Sequence, residues 1–176
     1  EGLRKAGHQA FVVGGGVRDS LLGLTPKDFD VATDAPPEVV QKVFRRARII
    51  GRRFQIVHVR FGREVIETST FRALQTDAQT DEHGRVLRDN VFGTQEEDAL
   101  RRDFTVNALY YDPVDETVVD FLGGVEDLRA RRLRMIGDPT TRYREDPVRM
   151  LRTVRFAAKL GFEVDSATLA PIRSLA

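Results

Sequence analysis

Residues 14–30 read GGGVRDSLLGLTPKDFD, and this stretch predicts how the chain begins to fold. The apolar residues 11–13 before it predict a short buried strand. Three glycines follow that strand, and glycine lets a backbone turn sharply while its amides approach a ligand. Residues 17–22 then predict a short helix, which Gly23 is placed to end in the left-handed conformation. The sequence therefore predicts a strand, a glycine turn and a short helix in direct succession.

A second strand is predicted at residues 28–31, and it carries two carboxylates. Because side chains alternate along a strand, Asp28 and Asp30 share one face, while Phe29 and Val31 are expected to pack inward. Two carboxylates on one face repel each other unless a cation lies between them. Oxygen ligands of this kind suit Mg²⁺, which keeps several waters and shares phosphate oxygens. The spacing thus favours Asp28 and Asp30 as metal ligands.

Gly15 and Gly16, beside this carboxylate pair, indicate where a phosphate would bind. Two-metal nucleotidyl transfer requires a phosphate-binding turn and a carboxylate pair that binds metal ions. The Rossmann fingerprint is excluded because Asp19 stands where it needs a glycine, and the Gly-Lys-Ser/Thr of a P-loop is absent from the sequence. Taken alone, a carboxylate pair is usually a solvated strand edge and a glycine triplet is usually a loop. Their combination within one short stretch favours nucleotidyl transfer.

The composition places the protein among ordinary globular classes. The chain has 176 residues, a formal net charge of +1 and no cysteine. It can therefore bury one core and a small second module, and it has no disulfide or thiolate metal site. No apolar run approaches the roughly 20 residues that span a bilayer, and no signal peptide is visible, so we expect a cytoplasmic protein without a membrane partner. Because Glu1 is not a start methionine, we expect a fragment of a longer protein. We also expect the protein to be a monomer.

The rest of the pattern predicts an α+β fold, with a mixed sheet flanked by helices. Strands are predicted at residues 11–13, 28–33, 54–61, 65–71 and 117–122. Helices are predicted at residues 17–22, 38–46, 94–102 and 148–160. Residues 72–94 are polar and lack a clear period, which predicts a long exposed loop. The Asp138-Pro139 pair predicts a boundary between a domain at residues 1–138 and the beginning of an all-helical domain at residues 139–176.

Residues 101–107 read RRDFTVN and place two arginines, a carboxylate and an amide at a helix end. Alone, such a run is usually an exposed cap cluster. In a nucleotide site, an arginine suits a triphosphate, and Asp103 suits the metal ions or the ribose hydroxyls. Glu67 competes with Asp103 as the third carboxylate of the site, because Glu67 lies on a predicted central strand. Both assignments stay open at this point.

Residues 146–155 read DPVRMLRTVR and predict a base-reading helix. Asp146 and Arg149 are three positions apart and hence neighbours on one helix face, and Arg152 and Arg155 continue that line. A carboxylate accepts from an exocyclic amine, and a guanidinium donates to a ring nitrogen. Adenine and cytosine both present that pattern, whereas guanine and uracil present its reverse. The pair therefore predicts a protein template for adenine and cytosine, and a surface helix with internal ion pairs is the alternative.

Several motifs, taken in their order along the chain, resemble one family. They are GGGVRDSLLG with KDFD, RRDFTVNA, GGVEDL and EDPVRMLRTVRFAAKLGF. Together they resemble the class II tRNA nucleotidyltransferase/poly(A) polymerase family of the polymerase β superfamily, over nearly the whole chain. Residues 51–59 and the run RDNVFG at residues 88–93 resemble the poly(A) polymerase branch rather than the CCA-adding branch.

This resemblance implies a polymerase β-like nucleotidyltransferase head followed by the start of an all-helical neck domain. Asp28 and Asp30 would bind the catalytic Mg²⁺ ions, for which Mn²⁺ can substitute, and Asp103 would be the additional catalytic carboxylate. The residues that would bind the nucleotide are Gly15, Gly16, Arg18, Arg102, Asp146, Arg149, Arg152 and Arg155.

The activity implied by the resemblance is transfer of AMP from ATP to an RNA 3′ end, with release of pyrophosphate. ATP and the RNA 3′ end are thus the expected partners. A CCA-adding enzyme that uses CTP and ATP on tRNA is the alternative within the family. An inactive nucleotide- or RNA-binding module is the alternative from another class. The Asp28/Asp30 pair argues against the inactive module, because such a module has no use for mutually repelling carboxylates.

Overall fold

A seven-stranded sheet is the centre of the computed structural model, which describes residues 1–51, 54–74 and 91–175. Its strands are β1 (Ala10–Val13), β2 (Asp30–Thr33), β3 (Ala47–Ile50), β4 (Ile56–Phe61), β5 (Glu64–Thr70), β6 (Leu109–Asp112) and β7 (Thr117–Asp120). Their order across the sheet is β3-β4-β5-β2-β1-β6-β7. Only β2 and β5 pair in parallel among these strands, and the other neighbours are antiparallel. The predicted α+β class with a mixed sheet is confirmed.

Short helices flank the sheet, and their ends follow the capping signals of the sequence. The helices are α1 (Gly2–Lys5), α2 (Gly15–Leu21), α3 (Pro37–Val43), α4 (Gln95–Arg101), α5 (Gly124–Arg129), α6 (Pro139–Glu145), α7 (Val148–Leu160), α8 (Ser166–Leu169) and α9 (Ile172–Leu175). At the start of α4, Thr94 and Glu97 form a reciprocal capping box. At the end of α7, which was predicted at residue 160, Gly161 takes the left-handed conformation, with φ of 64°.

The two faces of the sheet are covered to different extents. On one face, Val40 of α3 and Leu3 of α1 pack into a buried cluster with Val57 and Val59 of β4. On the other face, Ala99 of α4 packs over β1 and β6, in a cluster that includes Phe11, Phe71 and Tyr110. The part of this second face that belongs to β3, β4 and β5 remains exposed, as the side chains discussed below show. The sheet therefore presents an open half-face next to the glycine turn.

Helices α6 and α7 pack against the sheet domain. Tyr143 of α6 and Phe162 beyond α7 lie in one buried cluster with Phe104 and Met135. A two-stranded parallel sheet also connects the regions before and after residue 138, because β8 (Arg132–Leu133) pairs with β9 (Glu163–Val164). The region after residue 138 is thus mainly helical, with one short strand that the periodicity did not predict. The predicted domain boundary itself stays a prediction.

The structure corrects the predicted strand at residues 28–31. Strand β2 begins at Asp30, so Asp28 lies just before it, and Phe29 is 48% exposed rather than packed inward. The reason is local packing. A Cβ on Gly16 would come within 2.9 Å of the Phe29 ring, so Phe29 lies over the start of α2 instead of in the core. Elsewhere, β3 was not predicted, because residues 47–50 are too short a run to show a period.

The long polar loop predicted at residues 72–94 can be assessed only at its ends. Residues 75–90 lie outside the described part of the chain. At the base, Arg72 and Phe92 form an isolated antiparallel bridge, and Gly93 N donates to the Phe71 carbonyl at 3.0 Å. The two ends of the segment are therefore held together next to α4. Among the described helices, none is both long and apolar enough to cross a membrane.

Candidate active site

The glycine turn joins the end of β1 to the start of α2. Gly14 has φ of 74°, a conformation that suits glycine, and its N–H donates to the Leu109 carbonyl at 3.2 Å. The next residues, Gly15 and Gly16, are the first two of α2, where backbone N–H groups have no partner within the helix. Arg102 lies over this turn, with its Nη1 3.7 Å from the point that a Cβ on Gly14 would occupy. The turn thus combines free amides with a guanidinium, an arrangement that suits a phosphate.

Gly16 also positions the loop that carries the first carboxylate. A Cβ at this position would lie 2.9 Å from the Phe29 ring and 3.1 Å from the Asp28 carbonyl oxygen. Because the second contact is to backbone, a larger residue would push Asp28 away from the turn. Gly16 therefore matters for where Asp28 sits, in addition to the role that its amide can have.

Asp30 begins β2, beside the glycine turn, and pairs with Val13 of β1. On the other side of β2, the parallel register Val31↔Thr68 places Glu67 of β5 next to Asp30 on the same face. The pKa of Asp30 is raised, first by desolvation and then by repulsion from Glu67 and Asp28, while Arg102 lowers it. Glu67 and Asp28 therefore both act electrostatically on Asp30.

The donor set suits a divalent cation. In the described ranges 1–51, 54–74 and 91–175, no three His, Cys, Asp or Glu side chains converge as a ready metal site. Mg²⁺ commonly takes one or two carboxylates and completes its shell with water and phosphate oxygens. A pair of carboxylates beside a phosphate-binding turn fits that requirement. The raised pKa of Asp30 agrees with it, because a bound cation would stabilise the charged carboxylate that desolvation and the neighbouring carboxylates disfavour.

Arg102 is held in place by two residues that the sequence analysis did not single out. Its Nη2 donates to Asp98 Oδ2 at 3.0 Å, and its Nε donates to the Tyr110 hydroxyl at 3.1 Å. The Tyr110 hydroxyl in turn donates to Asp98 Oδ2 at 2.6 Å. Desolvation lowers the pKa of Arg102, but Tyr110 and Asp98 raise it by more. The spacing of Asp98 four positions before Arg102 on one helix was the available signal.

Asp103 is engaged differently from the three carboxylates near the turn. Its Oδ2 accepts from Arg152 Nε at 2.8 Å and from Arg152 Nη2 at 2.5 Å, and its Oδ1 accepts from Asn107 Nδ2 at 3.2 Å. The carboxylates that raise the pKa of Asp30 are Glu67 and Asp28. The structure thus brings Glu67 to Asp30 and pairs Asp103 with α7. The assignment of Asp103 as a catalytic carboxylate stays a prediction.

Arg18 lies in a buried network rather than at the open turn. The residue is 2% exposed, its Nη1 donates to Asn107 Oδ1 at 2.5 Å, and its Nε donates to Asp19 Oδ1 at 2.8 Å. Its guanidinium also lies over the Phe156 ring of α7, 5.4 Å from the ring centre. Arg18 therefore links α2 to α7, and its predicted contact with a triphosphate stays a prediction.

Three of the four predicted base-reading residues bond to neighbouring groups, and their predicted role in reading the base stays a prediction. Asp146 precedes α7, and its Oδ1 accepts from Val148 N at 3.1 Å. Arg149 Nη1 donates to Glu145 Oε2 at 2.9 Å and to the Arg142 carbonyl at 2.8 Å, because α6 ends beside it and supplies a nearer carboxylate. Arg152 pairs with Asp103, as described above. The fourth, Arg155, is exposed.

The comparison with known sequences covers nearly the whole chain. The family described as "Poly A polymerase head domain" matches residues 10–134. "Poly(A) polymerase I" of Escherichia coli O157:H7 is 57% identical over 181 residues, which cover 99% of this chain and 39% of that protein. The protein of the same name from Haemophilus influenzae is 55% identical, over 100% of this chain and 40% of that protein. A "CCA-adding enzyme" of Bacillus subtilis is 39% identical, over 94% of this chain and 41% of that protein.

Solved structures share the fold. The Bacillus stearothermophilus CCA-adding enzyme in complex with CTP has a TM-score of 0.81 at 36% identity, over 95% of this chain and 39% of that one. A tRNA nucleotidyltransferase complexed with a primer tRNA and an incoming ATP analog has a TM-score of 0.74 at 30% identity, over 97% of this chain and 47% of that one. The chain spans about two fifths of the length of the curated relatives it matches.

Proposed function

Because the chain belongs to the poly(A) polymerase head-domain family, we propose that it supplies the catalytic head of an enzyme that adds AMP from ATP to RNA 3′ ends. The observation that carries the proposal is the position of Asp30. Its carboxylate is coupled to Asp28 and Glu67, and it lies beside a glycine turn over which Arg102 is held. Carboxylates next to a phosphate-binding turn are the arrangement that nucleotidyl transfer needs.

The proposed reaction is attack of the terminal 3′-hydroxyl of RNA on the α-phosphate of ATP, with pyrophosphate as the leaving group. Bound Mg²⁺ would activate the hydroxyl and neutralise charge on the phosphate oxygens. Asp28 and Asp30 would hold the metal ions, with Glu67 or Asp103 as the further carboxylate. The amides of Gly15 and Gly16 and the guanidinium of Arg102 would bind the triphosphate.

Selection of the base is proposed for the start of α7. Asp146 uses one carboxylate oxygen to cap Val148 N, so its other oxygen remains for an exocyclic amine. Arg149 keeps a fixed orientation through its bonds to Glu145 and to the Arg142 carbonyl. A fixed guanidinium next to a carboxylate would favour adenine or cytosine over guanine or uracil. Arg152 and Arg155, further along the same helix, are also proposed to contact the nucleotide.

CCA addition is the second candidate. Curated CCA-adding enzymes match at 37–39% identity, and the structure in complex with CTP has a TM-score of 0.81. The poly(A) polymerases match at 55–57% identity over nearly the whole chain, and this difference favours adenylyl transfer to RNA. Involvement in RNA processing, a monomeric state and a cytoplasmic location belong to the same proposal.

An incorporation assay on the full-length protein tests the proposal. Each of the four nucleoside triphosphates is offered with Mg²⁺, on an oligo(A) primer and on a tRNA that lacks its CCA end. We expect repeated addition of AMP to the oligo(A) primer and loss of addition in Asp30→Asn. Addition of CMP to the tRNA followed by a single AMP would establish the CCA-adding alternative instead. No incorporation on either RNA would support an inactive binding module.

A further inference from the structure

A row of polar side chains crosses the open half-face of the sheet and ends at the proposed active site. The register pairs Arg48 of β3 with His58 of β4, and His58 with Glu67 of β5. Glu67 lies next to Asp30 on β2, as described above. Since paired residues point to the same face, Arg48, His58, Glu67 and Asp30 follow one another across four strands. With strands about 4.8 Å apart, Arg48 lies about 14 Å from Asp30 along this row.

Three arginines gather at the outer end of this row. Arg60 of β4 is two positions after His58 and therefore lies on the same face as Arg48. Arg46, just before β3, is directly opposite Arg60, because its carbonyl accepts from Arg60 N at 3.1 Å. All three arginines are exposed. Within the residues that the structure describes, none of the three makes a side-chain hydrogen bond or an ion pair.

Like charges placed directly opposite each other destabilise a sheet. The cost of the Arg46–Arg60 pair is not offset by a carboxylate from the described part of the chain, although other surface arginines have such partners. Arg132 and Arg134, for example, both bond to Asp127. A cluster of cations on an open face creates a positive potential that attracts an anionic ligand.

We propose that this face, defined by Arg46, Arg48 and Arg60, binds the backbone phosphates of the RNA strand whose 3′ end lies at Asp30. The inference rests on the proposed function for the position of the 3′ end. The strand would leave Asp30, cross β5 and β4, and reach the arginines about 14 Å away. That distance corresponds to about four nucleotides of a stacked strand, at about 3.4 Å each.

The apolar side chains on the same face support a single strand rather than a protein partner. Ile50 and Val65 lie on this face among the arginines, and they are 42% and 43% exposed. A face this rich in charged side chains differs from the core of a protein interface, where charged residues are depleted. Flexible unpaired bases can pack on such isolated apolar side chains while the phosphates contact the arginines. Contacts of this kind position the strand and do not read its base sequence.

The test measures RNA binding separately from catalysis. Binding of a fluorescent oligo(A) to the full-length protein is followed by anisotropy without nucleotide, at several KCl concentrations. For Arg48→Ala/Arg60→Ala we expect about a tenfold loss of affinity at low salt, and a salt slope reduced by about 1.4, which is about 0.7 for each lost phosphate contact. Arg129→Ala is the matched control, since Arg129 is exposed on α5 at the opposite end of the sheet.

Measurements of melting temperature and of KM for ATP show whether a loss of RNA binding comes from misfolding of the double variant. Because the double variant removes a repulsive pair, its melting temperature should equal or exceed that of the wild type, and its KM for ATP should be unchanged. A 4-thiouridine placed three or four nucleotides from the primer 3′ end should crosslink to peptides from β3 and β4.

Two outcomes separate this inference from the proposed function. If the protein incorporates AMP but the double variant binds RNA as tightly as Arg129→Ala does, the RNA path is wrong while the function stands. If the double variant loses RNA binding but the wild type transfers no nucleotide, the RNA path stands and the function is wrong. Unchanged RNA binding together with lost binding to poly(glutamate) would overturn the RNA path in favour of an acidic protein partner.

Discussion

The carboxylates on the two sides of the glycine turn have different neighbours: other carboxylates on one side and arginines on the other. On the sheet side, Glu67 and Asp28 both repel Asp30, and the pKa of Asp30 is raised by desolvation and by this repulsion. On the helix side, which we call the α7 seam, three carboxylates each have a cationic partner. The pairs of the α7 seam are Asp103–Arg152, Asp19–Arg18 and Glu145–Arg149.

This contrast distinguishes carboxylates that are available to bind a ligand from ion pairs that fix the orientation of neighbouring helices. Repelling carboxylates cost folding free energy, and they are tolerated where a ligand restores the balance. Paired charges restrict the orientation of their side chains and of the elements that carry them. The α7 seam thus fixes how α7 lies against the glycine turn, and the sheet side leaves its carboxylates available. Substitutions on the two sides of the glycine turn test this difference.

Asp30→Asn should have the largest effect on activity and the opposite effect on stability. Losing a metal ligand should lower kcat/KM by at least about a hundredfold, because metal contacts contribute several kcal/mol to the transition state. The pKa of Asp30 is raised in the folded state, so ionised Asp30 destabilises the fold at neutral pH. That penalty disappears as pH falls through the raised pKa, and the amide removes it at every pH.

Activity assays and thermal melts at pH 7 check this prediction. The control is Asp115→Asn, because Asp115 is an exposed carboxylate on the turn after β6. A melting temperature that drops in Asp30→Asn and is unchanged in Asp115→Asn would contradict the view that Asp30 is electrostatically strained.

Tyr110→Phe tests whether Arg102 depends on its two buried partners. The variant removes a hydroxyl that bonds both Asp98 and Arg102, and bonds to charged groups contribute about 1.5–3 kcal/mol. We expect unfolding to become easier by an amount in that range, and kcat/KM for ATP to fall about tenfold as Arg102 loses its orientation. Chemical denaturation and steady-state kinetics measure the two effects.

Tyr111→Phe is the matched control for this variant, since Tyr111 is the next residue of β6 and its side chain points to the other face. Equal losses of ATP use in the two variants would show that Tyr110 does not hold Arg102 for catalysis.

Asp146→Asn should change nucleotide selection. Asp146 borders the α7 seam, where its Oδ1 accepts from Val148 N at 3.1 Å. An amide can still cap that N–H, so the stability should change by less than the roughly 0.5–2 kcal/mol that a lost cap costs. Because an amide can present either a donor or an acceptor, discrimination of ATP against UTP and GTP should relax by about tenfold.

The measurement is kcat/KM for all four nucleotides on one RNA primer. An equal decrease for every nucleotide would mean that Asp146 is part of the scaffold and does not read the base.

The Asp103–Arg152 pair should give the smallest effect, measured as a coupling energy. The side chain of Asp103 is 11% exposed and that of Arg152 is 43% exposed, so we expect a coupling of about 1 kcal/mol in a double-mutant cycle. The exposed Lys5–Glu1 pair provides the comparison and should give a coupling close to zero. Equal coupling energies for the two pairs would contradict the view that the ion pairs of the α7 seam fix the orientation of α7.

Local features of the fold were largely predictable from the sequence. The glycine turn, the capping box at Thr94 and Glu97, and the end of α7 at Gly161 all depend on residues within a few positions of one another. Propensity and periodicity act over such short distances, so they can be recognised in one sequence. The prediction for Phe29 was wrong because a tertiary contact, its packing over Gly16, outweighed the alternation of the strand.

The partners of the candidate site residues were not predictable in the same way. Periodicity tells which face a side chain occupies, but it does not tell which strand lies beside it. Glu67 meets Asp30 only because β2 pairs in parallel with β5, and Arg18 meets Asn107 across 89 positions of the chain. The approach of Arg46 to Arg60 likewise depends on the pairing of β3 with β4.

The chemical groups of the candidate site and the short turns that present them can be recognised in the sequence alone. Asp28, Asp30, the glycines and Arg102 follow from motifs whose spacing is set by local backbone geometry. Which of these charges lie close together depends instead on the folded structure, because burial and long-range pairing set the neighbours of each charge. Those neighbours leave Asp30 and Glu67 facing the open half-face and bind Asp103 and Arg18 into the α7 seam.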